Sequence, residues 1–509
     1  MISADNKRIA KNTLMLYFRM LVMLLVSLYT SRIVLNVLGV EDYGVYNVVG
    51  GIIAMFGFIT GTLATAAQRF LSFDLGKGDT RRLRETFSLV MLAYLILLGI
   101  TLVLSEPIGV WFLNTQMTIP AERLSAANWV LQCTILSFTA GVLTAPYMAV
   151  IIAREHMSIY AYTSIADAVL RLVIVWLLEV APADKLKVYA VLLLTVSIGM
   201  TTFYRFYCKR HFPESRYVFF FDRRRFFELC SFAVWNVVGA IANTLRSQGL
   251  NILLNLFFNP AVNAARGIAF QVNGAVTRFT GNFYAAIRPA LTKDFAAGRL
   301  DAMKSMALNG SRAAFFLMLV LSFPIFMETE GVLRIWLKIV PDHAVFFVQL
   351  TLLQSLLEVI PTPLTYMLQS AGRIKELQST ISVFYLLVVP VSYVFLKFGF
   401  PPETVFLVNV VFVVLNWVPR WIICKKVLGL GILDYHRHVS LNIAVPVTAL
   451  VAWGIVCKHY GLLPFPVPVN FCLHACIALL AVTFLGAKKN ERRMAAEFVV
   501  GKFRQLCDK

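Results

Sequence analysis

Apolar runs of eighteen or more residues recur between positions 13 and 485, separated by short polar breaks. As a helix rising roughly 1.5 Å per residue, each run is long enough to cross a hydrocarbon core of about 30 Å. The strands of a membrane barrel would alternate apolar and polar residues over about ten positions, and stretches such as 89–104 do not alternate. The pattern therefore predicts an all-α integral membrane protein. Helices are expected near 13–38, 44–68, 86–105, 126–153, 158–179, 188–207, 229–256, 262–287, 308–327, 344–369, 378–397, 403–423, 440–458 and 468–486, about fourteen transmembrane helices in all. The polar, basic residues 1–11 lead into a hydrophobic stretch too long for a cleaved signal peptide, which reads as a retained first span.

Charge gives these spans a direction. Of the 47 lysines and arginines, thirty-three fall in one alternate set of breaks and tails, seven in the other set, and the rest inside spans. Cytoplasmic loops of inner-membrane proteins are rich in these residues. The expected location is thus the bacterial inner (cytoplasmic) membrane, multi-pass, with both termini cytoplasmic. Basic loops beside anionic headgroups account for the net charge of +20, and no nucleic acid is needed as a partner.

Composition agrees, with 59% hydrophobic and 15% charged residues where a soluble domain carries about 25% charged. The longest segment outside the spans runs from about 209 to 228 and contains Arg223, Arg224 and Arg225, so it reads as a basic linker and leaves no room for a soluble catalytic domain. The eight cysteines are scattered; Cys472 and Cys476 alone share helical spacing, and His436 and His438 sit in a basic loop with no cysteine and the single carboxylate Asp434 beside them. No disulfide framework, metal site, cofactor or catalytic residue is predicted.

Shifting the second half back by 220 positions lays 280–298 on 60–78. Thr60, Gly61, Ala66, Leu71, Asp74 and Gly78 then match Thr280, Gly281, Ala286, Leu291, Asp294 and Gly298. The offset spans an even number of helices, so the copies share one orientation. The expected architecture is two pseudo-symmetric six-helix lobes plus two C-terminal helices. The boundaries are an amino-terminal lobe at 1–210, the linker at 211–228, a second lobe at 229–427, helices 13 and 14 at 428–487 and a cytoplasmic tail at 488–509. Parallel repeats of this kind in transporters bind substrate between lobes and work by alternating access.

Charges inside the spans point to the site, because an unpaired one costs about 2.5–3.5 kcal/mol at the bilayer centre and usually faces a cavity or snorkels. Arg19 and Arg312 lie near helix ends and are expected to snorkel. Asp167 and Arg171, four apart, can pair within one helix. In helix 7, Asn236, Asn243, Ser247 and Asn251 form a stripe flanked by Arg246 and Gln248; in helix 8, Arg266, Asn273, Thr277 and Gly281 repeat its spacing, with Arg278 nearby. Interhelical hydrogen bonding would account for the amides but not the arginines. A cationic cavity lined by Arg32, Asn243, Arg246, Asn251, Arg266, Asn273 and Arg278 is expected, suited to phosphate because guanidinium is a planar fork that stays charged. Glu358, deep in helix 10 before Pro361 and Pro363, and Asp167 are candidates for coupling to a proton or sodium ion. The two prolines should break the helix and free backbone carbonyls.

Three segments carry a resemblance. They are Lys7-Arg8-Ile9-Ala10-Lys11-Asn12-Thr13, the turn Leu38-Gly39-Val40-Glu41-Asp42-Tyr43-Gly44, and Gln68-Arg69-Phe70 leading to Gly76-Lys77-Gly78-Asp79. In these the chain resembles the polysaccharide-biosynthesis flippases, O-antigen flippases among them, of the multidrug, oligosaccharidyl-lipid and polysaccharide exporter superfamily. The resemblance implies two six-helix lobes, two further helices, and transfer of undecaprenyl-pyrophosphate-linked oligosaccharide from the inner to the outer leaflet for lipopolysaccharide, capsule or exopolysaccharide assembly. Lipid-linked oligosaccharide, membrane lipids and polysaccharide assembly proteins are the partners it implies. A drug antiporter and a peptidoglycan-precursor flippase of the same superfamily are the nearest alternatives. Arginines in the lumen disfavour cationic drugs. A membrane-embedded polymerase or ligase, the alternative from another class, would carry a long outer loop that this chain lacks.

Overall fold

The computed structural model describes residues 4–115, 121–180, 184–258, 260–337, 340–460, 465–487 and 492, and the side chains of all of these except 4–7, 112, 121, 260 and part of 27–59. Among the described residues the chain is helical, and eleven helices are long and apolar enough to cross a membrane. The three other predicted spans, 44–68, 158–179 and 262–287, are helical too. They fall in the second part of α1 (Ala4–Lys77), in α4 (Met157–Val180) and in α7 (Pro260–Ala296).

The contacts divide the chain into two units. The amino-terminal unit takes in Arg8–Val237 together with Thr292–Gly298. It begins with α1, whose 74 residues would extend about 110 Å if straight. The helix is interrupted at Gly39, whose φ of 80° and ψ of 168° only glycine adopts readily, so α1 contains two spans. Then come α2 (Thr80–Thr115), α3 (Ala121–Ala153), α4, α5 (Lys185–His211) and the start of α6 (Arg223–Phe257). Carboxylates cap three of these helices. Asp79 accepts from the Arg82 amide, Asp184 from Leu186 and Asp222 from Arg225, each satisfying an amide that has no partner within its own helix. Helix α3 packs on α2 and α5, and α4 packs on α3 and α5. Val49, Leu113, Ala127, Val130, Leu131 and Leu186 form one buried cluster and Val34, Val175, Leu178 and Tyr189 another.

Ion pairs gather at the two ends of this unit. Arg123 bridges Asp42 at 2.9 Å and Asp184 at 3.3 Å, joining three of the sparsely charged breaks. At the basic end, Arg225 meets Glu85 at 2.8 Å and Asp74 at 3.7 Å, Arg82 meets Asp74 at 3.0 Å, and Arg154 meets Glu214 at 2.7 Å. Segments that the alternation of lysine and arginine assigns to one side are therefore in contact.

The carboxy-terminal unit holds Val238–Leu291 and Arg299–Lys509, with Met1–Lys7. Its helices are the rest of α6, most of α7, α8 (Leu300–Met327), α9 (Thr329–Leu337), α10 (Ala344–Val359), α11 (Thr362–Ser370), α12 (Ile374–Lys397), α13 (Glu403–Leu415), α14 (Trp417–Leu428), α15 (Ile432–Tyr435), α16 (Leu441–Tyr460) and α17 (Val467–Ala481). Helix α8 lies among α10, α11, α16 and α17, and the last two are the extra pair expected at 428–487. The span at 344–369 is broken at Ile360 and Pro361, as the prolines require. The carbonyls released there are taken up: Tyr284 donates to Val359 O at 2.7 Å and Tyr435 to Ile360 O at 2.8 Å. A second break, at Asn416 between α13 and α14, was not expected; it lies three residues before Pro419, which has no N–H to offer the Leu415 carbonyl.

Candidate functional site

Two arginines organise the polar residues of α6 and α7. Arg246 lies three residues after Asn243 on one helical face, and its Nη2 donates to Asn243 Oδ1 at 2.8 Å. Its Nη1 donates to Asn409 Oδ1 on α13 at 3.0 Å, and Asn409 Nδ2 donates to Gln354 Oε1 on α10 at 2.6 Å. The guanidinium carbon stands 4.3 Å from the centre of the Tyr385 ring on α12, a cation–π distance. Tyr385 in turn donates to Glu358 Oε1 at 3.1 Å. Three helices thus meet on one buried guanidinium, and α10 joins them at one remove, Gln354 through Asn409 and the coupling candidate Glu358 through Tyr385.

Arg266 of α7 reaches back to α6. Its Nη1 donates to Asn251 Oδ1 at 3.1 Å and its Nη2 to the carbonyl and hydroxyl oxygens of Ser247 at 2.7 and 3.2 Å, while Phe270 lies under it at 4.3 Å. Both arginines are 8% exposed, and among the described residues every hydrogen-bond acceptor they use is neutral. Amides and carbonyls hold the fork in place without cancelling its charge, so the pair remains two fixed positive charges in a low-dielectric bundle.

The predicted site residues do not all converge. Asn243 with Arg246 and Asn251 with Arg266 come together as the stripes imply. Asn273 Oδ1 is buried without a hydrogen-bond partner among the described residues, Arg278 is exposed, and the Arg32 side chain lies outside those described. Thr277 bonds the carbonyls of Asn273 and Gly274, and Asn236 the carbonyl of Phe232, so each serves its own helix. Asp167 pairs with Arg171 at 2.9 Å inside α4, in the amino-terminal unit.

Arg19 donates to Tyr160 OH, in the first turn of α4, at 3.3 Å and lies 4.6 Å from the centre of that ring. One expectation is corrected. Arg312, expected to snorkel, is 2% exposed and is the largest fully buried side chain among the described residues, enclosed because α8 is surrounded by other helices. Sequence reading also missed Gln354, Tyr385, Asn409 and Arg420. The last is 6% exposed in α14. The available signal was an amide inside each of two largely apolar runs, at 354 and 409.

The fold has solved counterparts. A crystal structure of a MATE point mutant superposes with a TM-score of 0.72 at 13% identity, covering 84% of this chain and 96% of its own. An outward-facing multidrug resistance MATE family transporter of the MOP superfamily gives 0.69 at 13% identity, with 84% and 96% covered. The Vibrio cholerae MATE transporter VcmN, also as a point mutant, gives 0.63 at 13% identity, with 83% and 98% covered. The chain has the fold of these MATE structures. No protein-family model matches the sequence, and no characterised relative is found by sequence comparison.

Proposed function

We propose that this chain is a transporter of the bacterial inner membrane, not an enzyme, that moves an undecaprenyl-pyrophosphate-linked oligosaccharide from the inner to the outer leaflet by alternating access. One observation carries the reading: Arg246 and Arg266 are buried on neutral partners, so their charges are available to an anion. A pyrophosphate group is the natural complement, because several donors in a planar fork match its oxygens. In this reading Asn243, Asn251, Asn409 and Gln354 hold the forks, and Glu358 with Tyr385 forms the element that a proton or sodium ion would address. The basic ends of the helices face the cytoplasm.

The second reading is a drug antiporter. It is supported by the fold shared with a multidrug resistance MATE family transporter and by Glu358, a carboxylate in an apolar span. Two buried guanidinium groups would repel organic cations.

Transfer of a fluorescent lipid-pyrophosphate oligosaccharide across proteoliposomes, beside uptake of an organic cation, separates the two. Arginine-dependent lipid transfer supports the flippase; cation uptake without lipid transfer would establish the antiporter.

A further inference from the structure

The turn between α3 and α4 and the turn between α11 and α12 are two copies of one motif, 217 residues apart. In the first, the Glu155 amide donates to Ile152 O at 2.9 Å and the His156 amide to Ile151 O at 3.0 Å. In the second, the Gly372 amide donates to Gln369 O and the Arg373 amide to Leu368 O, both at 3.0 Å. The residue at the helix end is left-handed in each, Glu155 with φ of 61° and Gly372 with φ of 77°. Glycine belongs at this position, since a Cβ crowds the following carbonyl. Among the described residues Glu155 and His343 are the non-glycines with positive φ. A strained residue that persists is a pointer to function.

What the strain secures is the place of a carboxylate. The Glu155 side chain is 1% exposed, with Oε1 2.7 Å from Lys293 Nζ and Oε2 3.0 Å from Arg8 Nε. Asn12 donates to the Glu155 carbonyl at 3.2 Å. Burial pushes the Lys293 ammonium down from its ordinary range and the neighbouring carboxylate of Glu155 pulls it back up, which marks the pair as mutually dependent. Lys293 lies in the last turn of α7, the segment Thr292–Gly298 that belongs to the amino-terminal unit although the preceding part of α7 does not. There α7 touches α1 backbone to backbone, since a Cβ on Gly76 would lie 2.5 Å from Lys293 O.

We propose that Glu155 is an ionic lock: by sharing its carboxylate between Arg8 and Lys293 it holds the basic-side end of α7 against α1 and the α3–α4 turn in one state of the transport cycle, and its release frees that end. The proposal rests on the alternating-access reading but not on the substrate. It is tested without any substrate, by thiol labelling of purified protein carrying Thr292→Cys, a near-isosteric change at a buried position, with Cys208 retained as the other cysteine. Cys208 is fully buried in α5 of the same unit and reports general loosening. Glu155→Gln and Glu155→Gly should each raise labelling at position 292 about tenfold or more while Cys208 stays protected. Unchanged labelling at 292, or acceleration at both positions together, would overturn the lock and leave an ordinary structural ion cluster. A failure of lipid transfer with selective labelling intact would instead count against the proposed substrate.

Discussion

Gly78 and Gly298, 220 residues apart, end their helices with the same left-handed backbone, φ of 73° and 74°, and each donates its amide three residues back, to Leu75 O and Phe295 O at 3.2 and 3.1 Å. Three of the other matched pairs share burial as well: Ala66 with Ala286, Leu71 with Leu291 and Asp74 with Asp294 are all buried. Thr60 and Thr280 both donate to the carbonyl three residues earlier, at 2.7 and 2.9 Å. Common helix-end geometry, burial and hydrogen bonding are what a duplication would leave behind.

Nothing lies within 4 Å of where a Cβ would stand on Gly78 or Gly298, so their glycine requirement is one of backbone alone. Gly78→Ala and Gly298→Ala should each lower stability by about 1–2 kcal/mol. Gly76→Ala adds a clash with Lys293 O, Lys293 Cα and the Ala296 Cβ at 2.5–2.8 Å and should destabilise by up to about 3 kcal/mol. Thermal unfolding of the purified variants ranks the three, and Gly76→Ala as the mildest would refute the close approach.

Arg246 is both a candidate substrate contact and the hub of a buried network. Arg246→Ala removes the donor to Asn243 and Asn409, so transport should drop at least about tenfold and the amount of folded protein should fall as well. Arg246→Lys should recover part of each, because charge returns without the fork. Full transport by the alanine variant in cells would remove Arg246 from the site.

For Arg266 the expected split is sharper. Its partners Asn251 and Ser247 belong to one neighbouring helix, so Asn251→Ala removes one of its bonds and leaves the charge. Asn251→Ala should cost about 1 kcal/mol of stability with modest loss of transport, and Arg266→Ala should abolish most transport at similar stability. Equal effects of the two on transport would show that Arg266 acts through packing alone.

Tyr284→Phe and Tyr435→Phe test the proline break. Each hydroxyl satisfies one of two adjacent carbonyls, Val359 O and Ile360 O. Loss of either should destabilise by about 1–3 kcal/mol, and the double variant should depart from additivity because both act on one turn. A melting temperature unchanged in both single variants would mean that the freed carbonyls find other donors.

Much of this protein was legible in its sequence because the bilayer leaves so few choices. Backbone polar groups in hydrocarbon must bond within their own segment, so apolar runs become helices, and lysines and arginines sort to one side. Gly39, Pro361 and Pro363 announced breaks through their own backbone limits, and the spacing of Asn243, Ser247 and Asn251 announced a polar face. Which groups a face meets is another matter. Helices that neither adjoin in sequence nor share its period brought Asn409, Gln354, Tyr385 and Glu358 to Arg246, Tyr160 to Arg19, and a full enclosure to Arg312. The sequence by itself determined that this chain is a duplicated helical membrane protein with arginines inside it. Tertiary structure alone decided what those arginines hold and that Glu155 stands between Arg8 and Lys293, because partner choice depends on how helices pack and no local periodicity encodes that.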